Sequence, residues 1–213
     1  MFALGAVCGL LAAAVGHAGI DENWDPRFFA PVPGVNENVR ELLKVGTSMY
    51  AAGAFTTAGG EVTRCVARWD GRDWQALGSG MDRAVVALAW DGSNRYAAGH
   101  FTMAGGIVAN HVARWNGYSW SALGSGIDGE VNALAWDGSA LYAGGSFAQA
   151  GTAAASNIAR WDGSGWSAVG GGVNATVYAL AWDGVGLNVG GQFNWAGCVL
   201  SKESWTAFPS VLH

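Results

Sequence analysis

The chain has 213 residues, of which 51% are hydrophobic and 13% charged, with 34 glycines, 12 tryptophans and a formal net charge of −5. Abundant aromatics with little charge exclude a disordered chain, and glycines that do not recur at every third position exclude collagen. No Lys/Arg run gives the basic footprint that nucleic-acid binding requires.

The first 18 residues, MFALGAVCGLLAAAVGHA, read as a secretory signal with an apolar run and a small-residue ending at Gly16-His17-Ala18. The run is short for a membrane span, which needs about 20 residues. No Lys or Arg precedes it, so an uncleaved anchor and a fragmentary start stay as alternatives. Residues 19–37 form a lead-in, 38–209 a repeat domain and 210–213 a tail. No second candidate span follows, so none is expected in the mature domain.

The repeat domain is organised by a period of 46 residues. Trp69, Trp115 and Trp161 are in step, as are Trp74, Trp120 and Trp166, and Trp90, Trp136 and Trp182. Phe55, Phe101, Phe147 and Phe193 extend the series. A period of this size marks units that bury their apolar faces by stacking. In the best-preserved unit, Leu141 to Gly145 reads as a first strand, Asn157 to Trp161 as a second, Trp166 to Val169 as a third and Val177 to Trp182 as a fourth. Short apolar runs separated by Gly, Asp, Asn and Ser predict an all-β fold. Asp70-Gly71, Asn116-Gly117 and Asp162-Gly163 end second strands, while Asp91-Gly92, Asp137-Gly138 and Asp183-Gly184 end fourth strands. These acids read as turn makers, because Asp and Asn bond nearby amides and Gly accepts positive φ.

Strict alternation places Val85, Ala87 and Ala89 on one face of a fourth strand and Val86, Leu88 and Trp90 on the other. The small first strands, such as Ala143-Gly144-Gly145, are expected innermost, where sheets converge. Four strands per unit and hairpin turns favour a β-propeller over a solenoid. At the ends, Val39 to Lys44 falls where a fourth strand belongs, and Leu187 to Gln192 where a first belongs. Cys198 to Ser201 reads as a shortened second strand and Trp205 to Phe208 as a third. The early strand would then complete the last blade and close four blades, with Arg40, Glu41 and Lys44 on an exposed outer strand. A fragment of a larger propeller is the alternative, and an open ring would leave an apolar flank able to dimerise; a closed ring would be monomeric.

The runs FTTAGG, FTMAGG, IARWDGSGWSAVGGGVN and VNALAWDGS resemble repeats of secreted bacterial propeller-like proteins and of fungal cortical-marker cell-polarity proteins. The lead-in from Trp24 to Val39 resembles the beginning of such bacterial domains. The organisation is kelch-like, without a full kelch signature. The resemblance implies a β-propeller outside the cytoplasm (secreted, periplasmic or at the cell surface) and no transferable catalytic set. Gly197-Cys198-Val199-Leu200 departs from the repeat, where a longer linker is expected.

Positions that break the repeat are the candidates for function. Trp195 replaces Thr57, Met103 and Gln149; Arg83 replaces Gly129 and Ala175; Glu130 falls one step later in another loop. Arg72, Tyr118 and Ser164 vary in one turn series. Trp195, Tyr118, Arg72, Arg83 and Glu130 are therefore the candidate ligand contacts. His100 and His111 break the pattern too, yet two histidines fall short of a usual zinc site, so no metal and no cofactor is expected. There is no phosphate loop or nucleophile elbow, and Ser79 has no recognisable His/Asp partners. Cys65 and Cys198 admit either a bridge or two separate thiols. The reading is a noncatalytic extracellular module that binds protein or glycan through blade loops. A polysaccharide hydrolase or lyase, and a structural envelope module or truncated fragment, are its rivals.

Overall fold

The computed structural model describes residues 34–197 and the backbone of residues 204–209. The expected signal 1–18, most of the lead-in, the strand 198–201, the tail 210–213 and Cys198 lie outside the described residues. Every regular element among the described residues is a strand.

In the first unit β1 (Val39–Val45) pairs with β2 (Ser48–Gly53), and a two-stranded ribbon of β3 (Thr57–Ala58) and β4 (Glu61–Val62) fills the following loop. Then β5 (Val66–Trp69) joins β2, and β6 (Trp74–Ala76) forms the far edge. The second sheet repeats this with β7 (Val85–Trp90), β8 (Arg95–Gly99), the ribbon β9 (Met103–Ala104) and β10 (Ile107–Val108), β11 (Val112–Trp115) and β12 (Trp120–Ala122). The third has β13 (Glu130–Trp136), β14 (Leu141–Ser146), the ribbon β15 (Gln149–Ala150) and β16 (Ala153–Ala154), β17 (Ile158–Trp161) and β18 (Trp166–Ala168). In the fourth sheet β19 (Val177–Trp182) pairs with β20 (Gly186–Gly191), and β21 (Ser204–Pro209) lies parallel to β20.

The four-stranded repeat is as predicted, but its sheet boundary falls one strand earlier. The run 85–90 pairs with 95–99 through the Asp91-Gly92 turn, so the expected fourth strand opens the next sheet. The same holds for β1, which pairs with β2 and does not complete the last sheet. Successive sheets meet through their opening strands: β1 packs against β7, β7 against β13 and β13 against β19. These four, rather than the glycine-rich strands, line a common cavity of about 240 Å³. They are the innermost strands, and the arrangement is an all-β, propeller-like array. Glu41 accordingly lies on an inner strand and lines that cavity, contrary to the outer position expected for 40–44. The strand predicted at 205–208 forms as β21 but runs parallel to its neighbour. A parallel pair needs a connection that returns to the starting end of the first strand, which a tight hairpin turn cannot supply.

Each inner strand carries a bulge, between Val39/Glu41, Val85/Ala87, Val131/Ala133 and Val177/Ala179. An extra residue shifts the faces of everything beyond it. Val85 and Leu88 therefore enter the same core cluster, while Ala89 enters the next one. Alternation alone put Val85 with Ala89, and the bulge overturns that.

Three clusters fill the spaces between neighbouring sheets. Between the first and second, Tyr50, Ala52 and Val66 meet Val85, Leu88, Phe101, Trp115 and Trp120. Between the second and third, Tyr96, Ala98 and Val112 meet Val131, Phe147 and Trp161. Between the third and fourth, Tyr142 and Ile158 meet Val177, Val189 and Phe193. Paired indoles recur at the rim: Trp69–Trp74, Trp115–Trp120 and Trp161–Trp166 have ring centroids 5.5, 5.2 and 5.3 Å apart. The Trp120 indole N–H donates to the Leu77 carbonyl of the preceding sheet at 2.8 Å, and Trp166 to the Leu123 carbonyl at 2.8 Å. Gly105 (φ 60°) lies under the Trp120 ring, where a Cβ would come within 2.9 Å of Cδ1.

Candidate functional site

Antiparallel order separates the loops into two ends. One end carries the tight turns 70–73, 91–94, 116–119, 137–140, 162–165 and 183–186. The other carries the ribbon loops and the segments that link one sheet to the next.

At the turn end, each Asp or Asn behaves as its sequence predicts. Asp70 Oδ1 accepts from the amides of Arg72 and Asp73 at 2.9 Å each, and Asn116 Oδ1 does the same for Tyr118 and Ser119. Asp162 accepts from the Ser164 hydroxyl and from the amides of Gly165 and Ser164, which together hold its carboxyl down at about 2. Asp91 is opposed by burial, but bonds from Asn94, Ser93 and Tyr96 outweigh that and keep its carboxyl below the ordinary range. Burial and the Asp91 carboxylate push the Tyr96 hydroxyl upward in turn.

At the other end, a second set of Asn and Asp clamps the ribbon loops from about twenty residues away. Asn36, Asp82, Asp128 and Asn174 each present Oδ1 to two successive amides, those of Thr56/Thr57, Thr102/Met103, Ala148/Gln149 and Asn194/Trp195. Cys65, His111 and Asn157 stand in step with φ of 71°, 63° and 65° where the chain leaves each ribbon. His111 is thus a left-handed turn residue whose Nδ1 lies 3.0 Å from the Gly99 carbonyl oxygen. His100 Nε2 is 3.9 Å from Glu130 Oε2. No group of three metal-ligating side chains occurs among the described residues. Cys65 is a buried thiol, raised by desolvation and then by Asp82 and Glu37.

The five candidate contacts do not form one site. Arg72 and Tyr118 belong to the turn end, with Tyr118 91% exposed and the Arg72 Nε 3.5 Å from the Asp73 carboxylate. Arg83, Glu130 and Trp195 belong to the clamp end. Trp195 is exposed and its amide is held by Asn174 Oδ1 at 3.1 Å.

The sequence reading missed a cleft of about 250 Å³ between the first two sheets, next to the turns that carry Arg72 and Tyr118. Its lining includes Tyr50, Arg68, Gln75, Arg95, Trp115 and Gly117. Arg68 Nε donates to Ser48 Oγ at 3.0 Å and Nη1 to Gln75 Oε1 at 3.2 Å. The Arg95 guanidinium carbon lies 5.1 Å from the centre of the Tyr50 ring, and Nη1 donates to the Ser93 carbonyl. Arg95 Nε is buried with no acceptor among the described residues. No carboxylate of the described residues lines this cleft. The signal was available: Arg95 replaces Leu141 and Leu187 at its repeat position.

The central cavity is the second concave site. Glu41, Asn132 and Tyr178 supply its polar groups among alanines and leucines of the inner strands. Burial raises the Glu41 carboxyl above its ordinary value. Asn132 Nδ2 donates to the Val177 carbonyl at 2.9 Å, tying the third sheet to the fourth.

This geometry defines an all-β, propeller-like tandem-repeat protein. No family model and no curated protein matches the chain. Among solved structures it is similar to the crystal structure of the computationally designed Ika4 protein, at 16% identity and a TM-score of 0.51 over 78% of this chain and 96% of that one. It also aligns with the computationally designed Ika8 protein at 16% identity and a TM-score of 0.49, over 76% of this chain and 45% of that one. At such identity the Ika4 likeness shows the fold alone. No helix among the described residues is long and apolar enough to cross a membrane.

Proposed function

We propose that this protein is a noncatalytic recognition module working outside the cytoplasm, and that the cleft between its first two sheets takes the anionic group of an acidic glycan. The observation that carries this reading is the pairing of Arg68 and Arg95 with Tyr50 and Trp115 in one carboxylate-free cleft. Guanidinium forks match carboxylate and sulfate oxygens. Aromatic walls give a sugar ring an apolar face to lie against. The turns bearing Arg72 and Tyr118 stand beside the cleft and would extend the contact. The apolar leader and the resemblance to secreted propeller-like repeats support an extracellular setting. Glycoside hydrolysis ordinarily needs a pair of carboxyl groups; among the described residues the cleft has none and the central cavity brings one, Glu41.

Calorimetric titration with a galacturonate oligosaccharide, against its neutral galactose counterpart, tests the reading. Binding of the acidic sugar alone is expected, weakened at least about tenfold by Arg95→Leu, as loss of one charged hydrogen-bonding group implies. Equal binding of both sugars, or an unchanged affinity in Arg95→Leu, would overturn it.

A further inference from the structure

The four inner strands share one frame and differ at two positions. Val39, Val85, Val131 and Val177 stand in step, as do Leu42, Leu88, Leu134 and Leu180. Between them lie the bulged residue and the one after it. The bulged residue is Arg40, Val86, Asn132 or Tyr178, a different type in every strand. The next residue is Ala87, Ala133 or Ala179 in β7, β13 and β19, and Glu41 in β1. The frame therefore requires no particular side chain at the bulge and no carboxylate after it. A bulge re-aims its side chain, and bulges gather next to functional sites.

Three of these pattern-breaking residues, Glu41, Asn132 and Tyr178, line the central cavity, and they come from three different sheets. Alanines and leucines of the frame supply the rest of the wall. Asn132 Nδ2 donates to the Val177 carbonyl at 2.9 Å. A carbonyl only accepts, so this bond fixes which end of the amide is which and leaves Oδ1 as the unused acceptor. Burial alone shifts the Glu41 carboxyl upward, with no donor or cation of the described residues to oppose it. The other charges of β1, Arg40 and Lys44, are exposed.

The cavity thus offers a carboxylate, an amide oxygen and a phenol oxygen against apolar walls. No cationic side chain lines it among the described residues. An anion would meet the Glu41 charge, and calcium takes six to eight oxygens. At about 240 Å³ the space is smaller than the roughly 300 Å³ at which drug-sized ligands begin to fit.

We infer that the central cavity binds a small free aliphatic amine as its primary ammonium. Three N–H donors match the three oxygens. Glu41 supplies the counter-charge, and the alkyl chain lies against the alanine and leucine side chains. A cation here also offsets the penalty that burial places on the Glu41 charge. This site takes the opposite sign of ligand from the cleft of Arg68 and Arg95 and does not rest on the glycan reading.

Calorimetric titration of the full chain with n-butylammonium tests this. Its controls are n-butanol, which is neutral, and tetramethylammonium, which has no N–H group. Saturable binding of butylammonium alone is expected. Glu41→Ala places in β1 the residue type of Ala87, Ala133 and Ala179, so the fold should hold, with circular dichroism as the check. It should weaken binding at least about tenfold, as loss of a charged hydrogen-bonding group implies. Glu41→Gln, which keeps the shape without the charge, should do the same. Tyr178→Phe removes only the hydroxyl and should weaken binding less. Absence of saturable binding, equal binding of either control, or an affinity unchanged in folded Glu41→Ala or in Tyr178→Phe would each overturn the inference. Tighter binding of Nα-acetyl-lysine amide than of butylammonium would overturn it too, by assigning the cavity to a protein lysine. Arg95→Leu should leave amine binding unchanged, so this result stands or falls separately from glycan binding.

Discussion

The two ends of the sheets use the same residue types for different purposes. At the turn end, Asp70, Asn116 and Asp162 bond amides two and three residues away, so each turn is locally self-sufficient. At the clamp end, Asp82 and Asp128 bond amides 20 and 21 residues away, and each loop depends on the preceding segment. Local closure leaves positions such as 72, 118 and 164 free to vary without cost to the frame. Long-range closure commits its loop residues to the fold. The cleft lined by Arg68 and Arg95 lies beside these locally closed turns.

The largest effect should come from the buried indole that reaches the clamp end. Trp120→Ala removes a 6% exposed ring and its bond to Leu77 and should cost about 3–5 kcal/mol in denaturant unfolding. Trp90→Ala, at a ring 40% exposed near the turns, should cost well under half of that. Equal losses would show that the two ends share one mechanical role.

Next is the clamp itself. Asp82→Ala strips an acceptor from two amides and from the Thr102 hydroxyl, and should cost about 1–3 kcal/mol. Asp70→Ala, in an exposed local turn, should cost less. The reverse order of melting temperatures would remove the distinction between local and long-range closure.

A pH series separates the clamp's charge from its geometry. Asp82 is opposed by desolvation, yet bonds from Met103 and Thr102 hold its carboxyl below the ordinary value. A depressed folded value means that the stabilisation is present above the unfolded value near pH 4 and is lost as pH falls through the folded value. Asp82→Asn, the residue found at 36 and 174, keeps the oxygen acceptor without the titration. It should reduce the loss of stability below about pH 4, measured as the melting temperature across an acid series.

The smallest effect is expected at the left-handed position leaving the first ribbon. Cys65→Asn places there the residue type found at Asn157, whose side chain bonds the Phe147 amide and the Val173 carbonyl. Asn accepts positive φ more readily than Cys. The change in unfolding free energy should lie within about 1 kcal/mol and favour the variant. A large loss would mean that burial of the thiol outweighs backbone conformation.

Much of the fold is legible in the chain because its determinants are local. The 46-residue step, the Asp-Gly turns and the strand-length apolar runs each act over a few residues and recur. Sheet membership was harder to read, since Val85 to Trp90 can be joined to either neighbouring unit until the Asp91 hairpin is seen to pair it with Arg95 to Gly99. The site was less legible still. Arg72 and Tyr118 stand out by their variability and fall next to the cleft, but Arg95, which breaks the repeat as plainly, is not among the candidate contacts. Arg83, Glu130 and Trp195 lie at the opposite end from that cleft.

Turn chemistry and hydrophobic spacing are properties of short segments, so the order of residues was enough to specify stacked β units of fixed length. Three outcomes were settled only in the folded molecule: which strand lies innermost, which face each side chain takes past the bulges, and which arginines share a cleft. Those outcomes depend on one-residue shifts in pairing and on contacts between residues that are far apart along the chain.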